Sequence, residues 1–260
     1  MTLGVAGEVA ALPQHLSPSS IGTWEQCPLR FRFSRIDRIP EPATEAQLLG
    51  SMTHEILEFL YREPAENRTV ARARRLAAQL WADKWAKEVE VLNLTPEDTH
   101  RFRWNVWWCV DTLFAMETPS QVELAGIEHP VRTQIGDVTL LGIIDRWEET
   151  PTGTVRIGDY KTGKKPRPQY EGEKRFQLTV YKSLVEDVLD KEVTQTELLY
   201  LKDGIRWEFI PTANDVVHMK STVVRVWDEI TTACTTGIFN AQQSVLCGWC
   251  SYKNMCPAWR

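Results

Sequence analysis

The stretch IGDVTLLGIIDRWEETPTGTVRIGDYKTG, residues 135–163, contains two turn signals between segments that alternate apolar and polar residues. Gly136-Asp137 suits a two-residue hairpin, because glycine tolerates the positive φ angle that a type II′ turn needs at its first position. Thr150-Pro151-Thr152-Gly153 is the second turn signal. The period-two pattern around these turns predicts three antiparallel strands, at about 122–134, 138–149 and 154–161.

The two turns determine which residues lie opposite each other across these strands. A tight first turn places Glu128 opposite Asp145, and the second turn places Asp145 opposite Asp159. The three carboxylates would then form a row on one face of the sheet, with neighbouring Cβ atoms about 4.5–5.5 Å apart. Lys161, two residues beyond Asp159, shares that face because side chains alternate along a strand.

A row of carboxylates beside a lysine suits a hard divalent cation. Mg²⁺ and Mn²⁺ prefer carboxylate and carbonyl oxygens and keep several waters, which leaves positions for a substrate phosphate. A nearby lysine could orient or help deprotonate a water and stabilise the charge on a phosphodiester under attack. The structural alternative is a surface ladder of charges with ordinary lysine–aspartate pairing. A slip of one residue in either hairpin would also break the row.

Helical patterns flank this segment on both sides. The predicted helices lie at about 17–26, 45–63, 69–91, 96–116, 172–189 and 212–236, and a further pair of strands lies near 194–210. This layout predicts an α+β fold with a central mixed sheet. We divide it into a helical N-terminal lobe at 1–118, a core at 119–211 and a C-terminal helix with a cysteine segment at 212–260.

The composition is that of a globular protein. The chain has 260 residues, 43% of them hydrophobic, which excludes a disordered chain and a minimal disulfide scaffold. Its formal net charge of -5 argues by itself against a nucleic-acid partner. Residues 1–16 lack a basic signal region and include Glu8, and no apolar run approaches the length of a membrane span. We therefore expect a cytoplasmic protein with no membrane partner.

Several sequence elements, in their order along the chain, resemble the RecB-type branch of the PD-(D/E)xK nuclease superfamily. They are Gly50-Ser51-Met52-Thr53-His54, Gly142-Ile143-Ile144-Asp145-Arg146, Gly158-Asp159-Tyr160-Lys161-Thr162-Gly163 and Gln177-Leu178-Thr179-Val180-Tyr181. The resemblance spans about residues 17–256, nearly the whole chain. It implies a core of the restriction-endonuclease type and a metal-dependent nuclease activity.

The resemblance also implies a role for individual residues. The implied ligands of a Mg²⁺ or Mn²⁺ ion are His54, Asp145, Asp159 and the backbone carbonyl of Tyr160. Lys161 would serve catalysis, and Glu128 matches a glutamate that family members often carry before this hairpin. Gln177 and Tyr181 lie at i and i+4 on one helix face, so they could act together towards DNA or the active site. Without the resemblance, His54 would be read as an ordinary half-buried histidine of an amphipathic helix.

The cysteines cluster near the end of the chain. The candidate ligand set is Cys27, Cys247, Cys250 and Cys256. Four thiolates suit either tetrahedral Zn²⁺ or a [4Fe-4S] cluster, and the spacing alone does not decide between them. One cysteine early and three late is the arrangement of the iron-sulfur subset of RecB-type nucleases, with its AddB-like subunits and CRISPR-associated exonucleases, so the resemblance favours the cluster, as a structural staple. Cys109 and Cys234 are predicted to be buried apolar residues.

Together these features predict a metal-dependent DNA exonuclease that prefers single-stranded ends. Basic residues support a DNA partner in spite of the net charge, and the candidates for contacts beside the site are Lys164, Lys165 and Arg167. The sequence lacks the helicase motif Gly-x4-Gly-Lys-Ser/Thr, so the protein would need frayed ends, a helicase or another partner. DNA repair or recombination, phage DNA processing and CRISPR adaptation with its proteins are the settings left open. The alternative function is a non-catalytic DNA-binding or assembly subunit that keeps the fold and the cluster.

Overall fold

The computed structural model of the chain describes residues 4–6 and 9–259. Its α-helices are α1 (Pro18–Gln26), α2 (Pro28–Phe31), α3 (Glu45–Arg62), α4 (Val70–Leu80), α5 (Ala86–Val89), α6 (Pro96–Met116), α7 (Gly172–Leu189) and α8 (Ala213–Thr236). Its strands are β1 (Gly4–Ala6), β2 (Leu124–Ile135), β3 (Val138–Glu149), β4 (Val155–Lys161), β5 (Val193–Tyr200), β6 (Ile205–Glu208) and β7 (Ile238–Asn240). Short π-helical segments lie at Arg32–Ile36 and Trp81–Trp85, and the second of these continues α4 into α5.

The central sheet has five strands in the order β2-β3-β4-β5-β6. Strands β4 and β5 run parallel and are joined through α7, whereas the other neighbours are antiparallel. The predicted α+β architecture with a central mixed sheet is therefore confirmed. The division into a lobe, a core and a cysteine segment stays a prediction.

Both predicted hairpin registers are confirmed. In the first hairpin Ile135 pairs with Val138, and Gly136 has a φ of 59°, as a type II′ turn requires. In the second hairpin Glu149 pairs with Val155, and the turn between them contains Gly153 at a φ of 81°. Since a slip by one residue would have turned every side chain to the other face, these two turns place the acidic residues.

The sheet separates two hydrophobic cores. One core includes Ile144 of β3, Ile157 of β4 and Leu198 of β5, and it packs against α1, α7 and α8. The other lies under α3 to α6 and includes Tyr160 and Leu199 from the sheet. The end of β4 therefore lies between two layers of helices, which is where the candidate site forms.

The two ends of the chain meet on one side of the molecule. Strands β1 and β7 pair antiparallel, with Val5 opposite Phe239. Helix α1 ends at Gln26, and Cys27 then has an extended backbone with a φ of −167°, as expected for a residue before proline. This bend brings the Cys27 sulfur to 3.4 Å from the backbone nitrogen of Gln242. The cysteines of the two chain ends therefore become neighbours.

Within the part of the chain that the structure describes, no helix is long and apolar enough to span a membrane. Glu8, which counted against a signal sequence, lies outside the described residues.

Candidate active site

The site forms where strands β3 and β4 separate. Their ladder ends at the pair Arg146 and Gly158, so the next residues, Asp145 and Asp159, are not joined by backbone hydrogen bonds. The Asp145 carboxylate occupies the gap and accepts a hydrogen bond of 2.6 Å from the Tyr160 backbone N–H. Burial and the charge of Asp159 raise the pKa of Asp145, although His54 and Lys161 oppose the shift.

His54 reaches the same point from helix α3. Its Nδ1 atom lies 3.4 Å from Glu128 Oε1 and 3.4 Å from Asp145 Oδ2, and its Nε2 atom lies 3.0 Å from the Tyr160 carbonyl oxygen. Burial lowers the pKa of His54, but the carboxylates, with Asp145 first, outweigh it and raise the pKa to about 10. Without a metal ion, a histidinium therefore lies between the two carboxylates.

The group of residues best placed to hold a metal ion contains Glu128 rather than Asp159. Ligand atoms of His54, Glu128 and Asp145 all lie within 4.8 Å of one another, and no other such group occurs among residues 4–6 and 9–259. Glu128 has a φ of 44°, an unusual left-handed conformation for a non-glycine residue. Strain of this kind persists only where the surroundings enforce it and is common at functional sites.

Asp159 is held by residues from β4 and α7. One carboxylate oxygen forms an ion pair with Lys161, and the other accepts a hydrogen bond of 2.9 Å from Gln177. Gln177 also donates to the Tyr181 hydroxyl at 2.8 Å, so the two residues act as a pair on one helix face. Burial lowers the pKa of Lys161, but the carboxylates of Asp159 and Asp145 raise it further, so the lysine carries its charge.

These residues fit a hard divalent cation. One imidazole and several carboxylate oxygens, with the Tyr160 carbonyl close by, form a donor set of nitrogen and oxygen atoms without sulfur. Such oxygen-rich sets suit Mg²⁺ or Mn²⁺. Asp145 and Asp159 each also have a second contact that orients the carboxylate, as functional metal sites require.

Arg146 has a supporting role that the sequence did not reveal. Its guanidinium is 1% exposed, bonds Glu117 at 2.5 and 2.8 Å, and lies 3.2 Å from the Tyr160 hydroxyl. Gly158 makes room for it, since a Cβ there would lie 2.7 Å from Arg146 Nε. Arg146 therefore holds the ring of Tyr160, the residue whose backbone N–H and carbonyl face the metal ligands. The only sequence signal was its position directly after Asp145.

A large cleft borders the site on the side of α1, α7 and α8. Its volume is about 1390 Å³, and Lys161, Gln177 and Tyr181 lie in its wall. The charged residues of its lining are Arg30, Arg35, Lys161, Lys174, Arg175 and Arg225, against Glu25, Glu173 and Asp215. The net positive lining suits a phosphate-bearing ligand.

The three basic residues predicted beside the site follow Lys161 on the loop after β4. Lys164, Lys165 and Arg167 do not line this cleft. Lys165 forms an ion pair of 2.6 Å with Glu171, while Lys164 and Arg167 are exposed on the loop between β4 and α7. Their contribution to DNA binding stays a prediction.

The four candidate cysteines line one small cavity of about 50 Å³, and Cys109 and Cys234 are buried elsewhere. Gln242 N–H donates to the Cys27 sulfur at 3.4 Å, and Ser244 N–H donates to the Cys247 sulfur at 3.3 Å. No three of the described cysteine sulfurs lie within 4.8 Å of one another. The structure thus brings the two chain ends together at the cysteines but does not itself identify what they bind.

Comparison with known proteins agrees with this geometry. The chain matches the PD-(D/E)XK nuclease superfamily over residues 15–257, and it belongs to this family. The Gene 69 protein of Mycobacterium phage L5 is 21% identical to it over 293 aligned positions, which cover 94% of this chain and 96% of that protein. The iron-sulfur subset is not distinguished by these matches.

A solved structure shares the fold. It is the crystal structure of a provisionally assigned exonuclease from Eubacterium rectale, with a TM-score of 0.55 and 12% identity, and the alignment covers 91% of this chain and 88% of that one. At this identity the likeness shows the fold alone.

Proposed function

We propose that the protein is a metal-dependent DNA exonuclease that hydrolyses phosphodiester bonds, with a preference for single-stranded ends. One observation carries the proposal: a metal-ligand group, His54, Glu128 and Asp145, lies beside the Asp159–Lys161 ion pair at the edge of a basic cleft. Membership of the nuclease superfamily agrees with it, as does the fold shared with the provisionally assigned exonuclease.

In this mechanism the protein residues hold the cation, orient the attacking water and stabilise the charge that develops on the phosphate. His54, Asp145, Glu128 and Asp159 would hold Mg²⁺ or Mn²⁺ with the Tyr160 carbonyl, and such a cation would lower the pKa of a water and offset charge on the phosphate. The water gives up a proton to the solvent as its oxygen bonds to phosphorus, the bond from phosphorus to the leaving sugar oxygen breaks, and that oxygen takes up a proton from the solvent. Lys161 would orient the water and stabilise the developing negative charge.

Gln177 and Tyr181 hold the Asp159 carboxylate in one orientation. Because the Gln177 amide donates to both Asp159 and Tyr181, the carboxylate cannot rotate freely when Lys161 turns towards a phosphate. We propose that both residues also contact the substrate, since they line the cleft.

We further propose that Cys27, Cys247, Cys250 and Cys256 bind a [4Fe-4S] cluster that joins the chain ends. The four cysteines line one cavity where the two chain ends meet, so their thiolates could hold one metal centre. The resemblance to the iron-sulfur subset of RecB-type nucleases supports the cluster over a single zinc ion. The backbone N–H groups that point at Cys27 and Cys247 suit thiolate ligands.

The source of the single strand would be a frayed end or a helicase. Among the settings that the sequence leaves open, we favour phage DNA processing, because a curated relative is a phage protein.

A nuclease assay with metal analysis tests both proposals. Protein purified without oxygen is examined for iron and for its visible spectrum, and then incubated with end-labelled single-stranded DNA and Mn²⁺. We expect brown, iron-containing protein that shortens the DNA, and loss of cleavage in Asp159→Ala and Lys161→Ala. The exposed residues Asp137 and Lys220 serve as matched alanine controls.

The cluster, the active-site assignment and the catalytic activity are each tested by a different result. A colourless protein that contains zinc would refute the cluster. Cleavage that survives both active-site substitutions would refute the active-site assignment. Tight DNA binding without any cleavage would favour the non-catalytic subunit.

A further inference from the structure

The candidate metal site lies between two openings of opposite charge. The basic cleft described above reaches the site at Lys161. On the side of α3 and α5 a second pocket, of about 730 Å³, reaches the site at His54 and Glu128. We call this second opening the acidic pocket. Its charged lining consists of Glu55, Glu58, Glu88 and Glu128 against Lys84 and, without a metal ion, the histidinium of His54.

The basic cleft contains cations that the protein leaves without an acidic partner. Arg175 pairs with Glu171, and Arg225 pairs with Glu25, so these two guanidinium groups are partly neutralised. Arg35 and Lys174 form no ion pair within the described part of the chain. Lys174 is half-buried, and burial together with the charge of Lys161 lowers its pKa. A phosphate between the two lysines would relieve their mutual repulsion.

The acidic pocket instead contains carboxylates that no cation in its lining neutralises. Glu88 has no ion-pair partner among the described residues, and Glu58 pairs only with Arg62, which is not in the pocket lining. Glu55 accepts hydrogen bonds from Lys84 and from the Trp85 indole, so its charge is partly neutralised. A phosphate within about 8 Å of the Glu58 and Glu88 carboxylates would be repelled even at physiological salt.

We propose that a single nucleic-acid strand reaches the metal site only through the basic cleft, with Arg35 and Lys174 as phosphate contacts, and that the acidic pocket prevents the strand from continuing past the site. An internal phosphodiester has nucleotides on both sides, so its cleavage would require the strand to occupy both openings. A terminal phosphodiester requires only the cleft and room for the released nucleotide. The charge difference between the openings thus confines cleavage to strand ends. This inference rests on the proposed nuclease function.

Closed and linear DNA distinguish the two modes of cleavage. The same single-stranded circle is used intact and after one independent cut, with Mn²⁺, and initial rates are compared. We expect the linear form to be degraded about tenfold faster or more, the factor that one strongly repelled phosphate would give. In the double variant Glu58→Gln, Glu88→Gln the linear rate should stay within about twofold, and the difference between the two forms should shrink.

Binding without metal tests the cleft independently of cleavage. Affinity for a linear single strand is measured by fluorescence anisotropy in EDTA at several salt concentrations. Lys174→Gln and Arg35→Gln should each reduce the slope of log affinity against log salt by about 0.7, the value for one single-strand phosphate contact. Arg132→Gln, which removes an exposed arginine of β2 outside the cleft, is the matched control and should leave the slope unchanged.

The outcomes separate this inference from the proposed function. Equal rates on circle and linear strand, or a ratio that the glutamine variants leave unchanged, would overturn the one-sided path while the nuclease stands. If neither DNA is cleaved, the nuclease proposal fails, and the salt slopes then decide the cleft contacts alone. Unchanged slopes in both cleft variants would overturn the path in either case.

Discussion

Replacement of Arg146 by methionine should destabilise the protein more than any other single change at the site. Its guanidinium bonds Glu117 at 2.5 and 2.8 Å and lies 3.4 Å from Glu197, and its side chain is 1% exposed. Removing one partner of a buried ion pair costs about 3–5 kcal/mol, because the other charge remains buried. Arg206 contacts both carboxylates from a position that is 35% exposed, so it retains part of the compensation. We therefore expect a loss near the lower end, about 3 kcal/mol.

Urea unfolding of the metal-free protein at pH 7, followed by circular dichroism, measures this loss. Arg206→Met is the matched control, and because Arg206 is a third exposed it should cost only about 0–1 kcal/mol. Burial alone would raise the pKa of Glu117, but its bonds to Arg146 hold the pKa below its ordinary value. The stabilisation from Glu117 is therefore present above its ordinary pKa and is lost as the pH falls through the lowered value. Arg146→Met should weaken this acid dependence.

Two results would refute the reasoning. A loss below about 1 kcal/mol would mean that water or Arg206 replaces the buried guanidinium. Equal losses for the two arginine variants would mean that burial does not distinguish them. A further readout concerns the site itself: Mn²⁺ affinity should fall in Arg146→Met, since Arg146 holds the Tyr160 ring, and should stay unchanged in Arg206→Met.

Three further predictions concern the metal site, a motif glycine and the cysteines. The pKa of His54 is raised to about 10, so Mn²⁺ binding at pH 7 should release about one proton. Calorimetry in buffers of different ionisation enthalpy measures this release. If no proton is released, His54 is not a histidinium in the metal-free protein. Gly158→Ala should lower the free energy of unfolding by about 1–3 kcal/mol, because the added Cβ would lie 2.7 Å from the buried Arg146 side chain. Gly22→Ala is the control and should not destabilise the protein, because the space beside Gly22 is open. Cys27→Ser should lose bound iron, and Cys109→Ala should keep it; equal iron in both would exclude Cys27 as a ligand.

The strands and their registers were predictable because tight turns leave little choice. Gly136 takes up the positive φ angle of a two-residue hairpin, and the second turn contains Gly153, again at positive φ. Once both turns are fixed, pleating alone determines which residues share a face. The sequence therefore placed Asp145, Asp159 and Lys161 near one another without knowledge of the tertiary structure.

The details of the site depended on contacts that no local pattern contains. The predicted row of paired carboxylates does not form as drawn, because the strands separate at Asp145 and its side chain takes the Tyr160 N–H. The left-handed backbone at Glu128 is likewise invisible in the sequence. The network of Arg146 joins residues from α3, β4 and β5 and a glutamate after α6, which only folding brings together.

The sequence also did not show which basic residues are free to bind a ligand. The run from Lys161 to Arg175 reads as one basic strip in the sequence, yet the structure divides it. Lys161 and Lys174 face the cleft, and Lys165 is paired with Glu171. Local charge counts predict a basic region, but pairing across turns of the chain decides which charges are free for a ligand.

The net charge of -5 does not show that two cationic side chains lie among the carboxylates of the site. Without metal, the histidinium of His54 and the ammonium of Lys161 take the place of a cation among the carboxylates. A divalent cation held at the site would displace the proton of His54, and Lys161 would then be free to turn from Asp159 towards a phosphate in the cleft. Under the proposed function, metal binding would thus prepare both the cation and the lysine for the same reaction.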